Sequence, residues 1–213
     1  MGKLLVLIGD IEDSQSVQDE DREALQEILL DKLQAINVEY GEGIVSPYTI
    51  TLVDEFQAVF DRADTVFVQM LKIMADIHPI GVRFSLDVGD IDTPINTEQA
   101  IGMDGPAFHR ARRGIELLKE NEYIFNIGFE DEDSPELRII NNSLQLLSGQ
   151  MRGWNKRRLI ILHMMKEGYD YKEISEALEI SKPAFYKNKT AGMLDVIGEL
   201  SDNVAEVINQ KLK

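Results

Sequence analysis

The chain has 213 residues, 44% hydrophobic and 28% charged, with a formal net charge of -16 and no cysteine. Such a composition is that of a globular protein with one ordinary domain or two small ones; no run approaches the roughly 18 to 20 apolar residues of a membrane span, Met1-Gly2-Lys3 leads directly into a strand-like run, and a cytoplasmic protein is expected. The lack of cysteine excludes disulfides, thiolate metal sites and thiol nucleophiles, leaving carboxylates and three histidines as possible metal ligands.

Leu4 to Ile8 is a continuous apolar run ended by Gly9-Asp10, which predicts a central strand buried on both faces. A helix over 21–38 follows, with Leu25, Ile28, Leu29, Leu33 and Ile36 on its apolar stripe and Gly41 to Gly43 ending it. Pro47 to Val53 and Phe56 to Phe60 read as a hairpin with Asp54-Glu55 at its tip. A helix is predicted over 63–77, with Val66, Met70, Ile73 and Met74 buried. Residues 82–88 alternate apolar and polar, the pattern of a strand with one buried face. A basic helix over 105–118 and a short strand over 123–129 complete a β-α-β-β-α-β order with one added helix and strand. The expected fold class is therefore α+β and ferredoxin-like, an antiparallel sheet with helices on one face.

The run Glu130 to Glu136 is all acids and turn formers, so the domains are expected to span 1–133 and 134–213. Charge supports the division. Residues 1–150 hold 11 Lys+Arg against 29 Asp+Glu, whereas 151–191 hold 9 against 5.

Asp10 and Asp54 each stand at the end of an apolar strand. Carboxylates from two strands can share a hard cation such as magnesium or manganese and leave positions for a triphosphate. An arginine from elsewhere would then stabilise the transition state. His109-Arg110-Ala111-Arg112-Arg113, on the helix opened by Pro106, offers one. The alternatives are structural: Asp10 and Asp13 as capping or turn residues, Asp54 as a hairpin-tip residue, His109 as a helix-surface group, and the arginines as surface ion pairs.

Gly9-Asp10-Ile11, the hairpin Asp54, the strand Arg83 to Gly89 and the helix Gly105 to Arg113 resemble, in this order, the catalytic domain of class III nucleotidyl cyclases. Asp54-Glu55-Phe56 is also similar to the GGDEF signature of diguanylate cyclases. Over nearly its whole length the chain resembles the SatD family, through Gly9 to Ser14, Asp54 to Gln57, Asp104 to Phe108, and Arg112 or Arg113. The cyclase resemblance implies Asp10, Ile11 and Asp54 as a magnesium or manganese site, a nucleotide ligand, and His109 and Arg113 as catalytic positions acting across a homodimer. Three departures imply a degenerate site. Val53 replaces the glycine before the hairpin acid, the purine-selecting lysine is missing from 48–52, and His109 replaces the asparagine.

In the basic module, Asp170-Tyr171-Lys172-Glu173 has the form of a capping box, and Ser181-Lys182-Pro183 starts the next helix. This predicts an all-α helix-turn-helix domain supported by a helix over 156–166. Lys182, Tyr186, Lys187 and Lys189 would face a DNA groove, and Arg157 and Arg158 would meet phosphates. The same fold could serve dimerisation instead. Glu179 stands where the turn often carries glycine, a strained choice if positive φ is needed. Met193, Ile197, Leu200, Val204 and Val207 form a stripe suited to packing on the same domain or to a helix pair, and Met151, Trp154, Met164 and Met165 are assigned to the core.

The function expected from these features is that of a DNA-associated regulator with a degenerate cyclase-like sensor domain, leaning away from catalysis. Two alternatives stand beside it: a magnesium- or manganese-dependent nucleotidyl cyclase or phosphohydrolase acting across a homodimer, and an interaction module with neither activity.

Overall fold

The computed structural model describes residues 2–12 and 19–213, with backbone alone for 19–23. Asp13 and Ser14, named above as a cap and as the end of a motif, lie outside the described residues. The elements run β1 (Leu4–Ile11), α1 (Asp19–Glu39), β2 (Ile44–Ile50), β3 (Glu55–Phe60), α2 (Val66–Ile77), β4 (Val82–Gly89), α3 (Pro106–Asn121), β5 (Phe125–Gly128), α4 (Pro135–Met151), α5 (Lys156–Lys166), α6 (Tyr171–Ala177), α7 (Lys182–Ala191) and α8 (Leu194–Lys211).

The five strands lie in the order β2-β3-β1-β4-β5. β1 is antiparallel to both β3 and β4, so the apolar run is indeed central, with Leu5 to Ile8 buried and Leu4 half-buried at its start. β5 joins parallel to β4, which makes the sheet mixed instead of purely antiparallel. The β2–β3 hairpin differs in extent from the sequence expectation. β2 starts at Ile44 and stops at Ile50, and Pro47 sits within the register shift between Ser46 and Thr49 on this edge strand, where its missing N–H costs no ladder bond.

Helices cover both faces, not one. Leu25, Leu29, Leu33 and Ile36 of α1 and most of α2 pack with Leu5, Leu7, Phe56, Phe60 and Phe84 on the first face. Tyr48, Phe56, Phe60, Phe84 and Phe125 continue as an aromatic chain with centroids 5.7–6.2 Å apart. Each such ring contributes roughly 2–3 kcal/mol by leaving water. Ile28, expected on the buried stripe of α1, is half exposed. On the second face, Val6, Ile8 and Val59 meet Ala107, Phe108, Ala111, Ile115 and Leu118 of α3.

That second helix layer overturns the reading of β4 as half exposed. Ser85 and Asp87 are as buried as their apolar neighbours, because α3 lies across the polar side of the strand. Alternation reported the polarity of two faces and not their exposure.

α4 opens with Ser134, whose hydroxyl accepts from Leu137 N, and Pro135 in its first turn. It then closes the outer edge of β5. Asn141 accepts from Ile127 N at 2.9 Å and donates to Ile127 O at 2.8 Å, as a next strand would. The first-face cluster runs on without a break through α4, α5 and α8 to Ile208, taking in Met151 and Trp154. Along α8, Ile197, Val204 and Ile208 are buried, while Met193 is exposed in a left-handed conformation (φ 52°). Among the described residues no helix is long and apolar enough to cross a membrane.

Candidate functional site

The two acidic motifs are cross-strand partners. Gly9 stands opposite Phe56, and Asp10 opposite both Glu55 on β3 and Arg83 on β4. Gly9 is required by contact, since a side chain there would enter the Phe56 ring. Ile11 N donates to Asp54 O at 2.8 Å, so the hairpin tip is tied to the end of β1. The Ile11 side chain belongs to the core.

Asp10 is 3% exposed, and cations meet both of its carboxylate oxygens. Lys119 Nζ lies 2.9 Å from Oδ1, and an Arg83 guanidinium nitrogen lies 3.2 Å from Oδ2. Burial lowers the Lys119 pKa, but Asp10 and then Glu116 outweigh it and hold the ammonium above its ordinary value. Arg83 also pairs with Glu12 at 3.3 Å, and Glu12 with Arg152 at 3.3 Å. The result is a relay of alternating charge from α3 through the strand ends to the end of α4. These residues do not fit a resident divalent cation as they are arranged. The first ligand expected is already neutralised by two side chains, and among the described residues no three of His, Asp or Glu converge.

His109 and Arg113 are not brought to Asp10 within one chain. Lys119, which does reach it, is ten residues beyond His109, or about 15 Å along the helix. His109 pairs with Asp104 at 3.3 Å and Arg113 with Glu132 at 2.7 Å, both on exposed surface. The arginine of this helix that reaches a buried partner is the half-buried Arg110. It grips Asp87 through Nε at 2.9 and 3.0 Å and a terminal nitrogen at 2.6 Å. Burial pushes the Asp87 carboxyl up to about 6, against the pull of Arg110. A side chain at Gly128 would strike that carboxylate, so the glycine makes its room.

Asp87 and Lys119 were not singled out from the sequence; Arg83 was named only as the start of a strand, and Arg110 only within the run 109–113, where the ion-pair alternative fits what it does. The signal for two of them was present in β4, where Arg83, Ser85 and Asp87 recur at every second position. Arg110 and Lys119 carried no such mark among the basic residues of α3.

In the helical region, Asp170 accepts from Lys172 N and Glu173 N while Glu173 accepts from Asp170 N, completing a capping box on α6. Glu179 takes φ 51° in the turn between α6 and α7, the left-handed conformation anticipated as strained for a non-glycine residue. Ser181 caps α7 by accepting from Ala184 N. Ile174 and Phe185 seat the two helices on the core. Lys187 and Tyr186 are exposed, and Lys182 lies 5.0 Å over the Tyr171 ring and 6.0 Å over that of Tyr186. Lys189 pairs with Asp195 at 3.0 Å. Arg157 is exposed, whereas Arg158 lies 5.6 Å over the Trp154 ring.

The model of the SatD family matches residues 4–203. No curated protein matches the chain. Similar solved structures include a bacterial light-regulated adenylyl cyclase, 17% identical over 59% of this chain and 75% of that one, with a TM-score of 0.46. Another is the non-canonical dimeric guanylyl cyclase domain of the RhoGC fusion protein from the aquatic fungus Blastocladiella emersonii, 17% identical over 54% and 73%, with a TM-score of 0.43. A third is the guanylate cyclase domain of RhGC from Catenaria anguillulae in complex with GTP, 19% identical over 53% and 71%, with a TM-score of 0.41.

Proposed function

The chain belongs to the SatD family, and on that premise we propose that it is a DNA-associated regulatory protein, with a cyclase-like sheet unit over 1–133 and a helix-turn-helix unit over 134–213. The observation that carries this reading is the exposed face of α7. Lys182, Tyr186 and Lys187 stand there beyond a capped α6 and a tight left-handed turn. With Arg157 exposed on α5, they offer phosphate contacts and a groove-entering helix within an otherwise acidic chain. In this reading the sheet unit is a degenerate relative of a metal-dependent site, and the surroundings of Asp10 support it. Arg83 and Lys119 supply to Asp10 the positive charge that a cation would.

Retention on duplex DNA tests the proposal. Binding should weaken steeply as salt rises, because each phosphate contact releases a counterion, and Lys187→Ala/Lys189→Ala should weaken it and flatten the salt dependence. Retention that ignores both salt and the double substitution removes the reading.

One observation favours a second reading, a homodimeric cyclase or phosphohydrolase using magnesium or manganese. Asp10 lies against one end of α3 while His109 and Arg113 lie toward the other, so a second copy would be needed to complete a site. Under it, manganese should raise the melting temperature of the wild type and not of Asp10→Asn; equal shifts in the two dismiss it.

A further inference from the structure

α4 and α8 lie side by side and run in opposite directions. Lys211 reaches Glu136 at 2.7 Å at one end of the pair, and Gln150 reaches the carbonyl of Ala191 at 3.3 Å at the other. Their inner sides fill the core, through Leu144 and Leu147 on α4 and Ile197, Val204 and Ile208 on α8. Ile197 and Val204 therefore leave the stripe expected from the sequence. The row that stays outward holds Met193, Val196, Leu200, Asn203 and Val207, with Leu200 and Val207 half-buried. Lys211, one turn beyond Val207, sets that row on the side of α8 nearest α4. Beside it α4 turns out Ile139 and Leu146, two helical turns apart. Large apolar side chains stand in water here: Ile139 is 67% exposed, Leu146 80% and Val196 56%.

This face is also without charge. Residues 139–151 hold no acid or base, and the acids of α8 keep to its other flank. There Asp195 pairs with Lys189 of α7 and Asp202 with Lys166 of α5, and Glu199 and Glu206 stand in the same sector. In a chain of net charge -16, two copies repel one another over most of their surface, and an uncharged apolar face is where they can meet.

The face reads alike from either end. Near midway between the two ties stand Asn142 and Ser143 on α4 and Asn203 on α8. Leu146, Val196 and Leu200 lie to one side of that polar layer, and Ile139 and Val207 to the other. A two-fold axis crossing the helices at the layer brings apolar side chains onto apolar side chains and Asn203 onto its own copy, and an amide both donates and accepts. A lone asparagine in an apolar helix seam fixes register and copy number in this way. Size agrees as well. Two helices about 25 Å long and together about 20 Å wide present about 500 Å² on each copy. The total of about 1,000 Å² is at the lower bound for a specific interface.

We propose that the α4–α8 face is a homodimer interface, closed by a second copy of this chain about a two-fold axis passing near Asn203. The pairing uses neither Asp10 nor the lysines of α7, so it stands or falls apart from both readings above.

Sedimentation velocity of the full-length chain at rising concentration should show monomer passing to dimer, with a Kd in the micromolar range for an interface of this size. Leu146→Glu/Val196→Glu sets like charges against each other across the axis and should weaken dimerisation about tenfold or more with an unchanged far-ultraviolet circular dichroism spectrum. Val38→Glu, at an exposed apolar position on α1, should leave it as it is. The chain has no cysteine, so Asn203→Cys introduces a single thiol, and mild oxidation should join two copies through it while Val38→Cys stays unlinked. A wild type that stays monomeric at the highest attainable concentration overturns the proposal. A dimer left intact by the folded double variant, or one that does not join at position 203, overturns it too.

Discussion

The two faces of the sheet are held by different physics. Toward α1 and α2, strand residues are Leu5, Leu7, Phe56, Phe60 and Phe84, and cohesion comes from apolar burial with no pairing requirement. Toward α3, the apolar patch of Val6, Ile8 and Val59 is flanked by the buried Asp10 and Asp87, each held by an arginine, Arg83 and Arg110. The first face tolerates any shape that fills it. The second specifies partners, because a buried charge without its counterion is far more costly than a buried methyl group without a neighbour.

Substitutions can break this contrast. Phe56→Ala should cost most, about 3–5 kcal/mol in denaturant unfolding, since it removes a fully buried ring that also fills the space over Gly9. Arg110→Ala should follow at about 3 kcal/mol by leaving Asp87 buried and unpaired. The double change Asp87→Leu/Arg110→Met should restore most of that loss, whereas no second polar-to-apolar change can rescue Phe56→Ala. Arg113→Ala, three positions along the same helix in an exposed pair with Glu132, should stay within about 0.5 kcal/mol. If Arg110→Ala and Arg113→Ala cost the same, the second face is not held by its buried pair.

Proton linkage sharpens the contrast with a smaller effect. Burial raises the Asp87 carboxyl to about 6 in the folded protein, so the native state keeps a proton that the unfolded chain releases near the ordinary carboxylate value of 3.8. Asp87 therefore favours folding most below that ordinary value. Its contribution is lost as pH rises to about 6 and is constant above. The slope from one such group is at most about 1.4 kcal/mol per pH unit. Unfolding measured across this window should show a slope in the wild type that Asp87→Asn lacks.

Much of the fold was legible in the chain because its signals are local. The Leu4 to Ile8 run, the stripe Leu25, Leu29, Leu33 and Ile36, the acidic hairpin tip and the capping box at Asp170 each depend on residues within a turn or a strand. The SatD resemblance rested on the order of such segments, and the family match bears it out. The candidate site was legible only in half. The motifs around Asp10 and Asp54 do meet, as register partners across β1 and β3. The cations around Asp10 were invisible because Arg83 and Lys119 lie 73 and 109 residues away and resemble any other surface base in one dimension.

By itself, then, the sequence determined which segments become strands and helices and that two acidic motifs stand at strand ends, since periodicity and turn chemistry act over a few residues. Tertiary structure alone decided that α3 lies across the polar side of β4 and that Asp10 is neutralised by side chains. Those outcomes depend on how a helix crosses a sheet and which distant residues the crossing brings within a few ångströms, where charge and hydrogen bonding take effect.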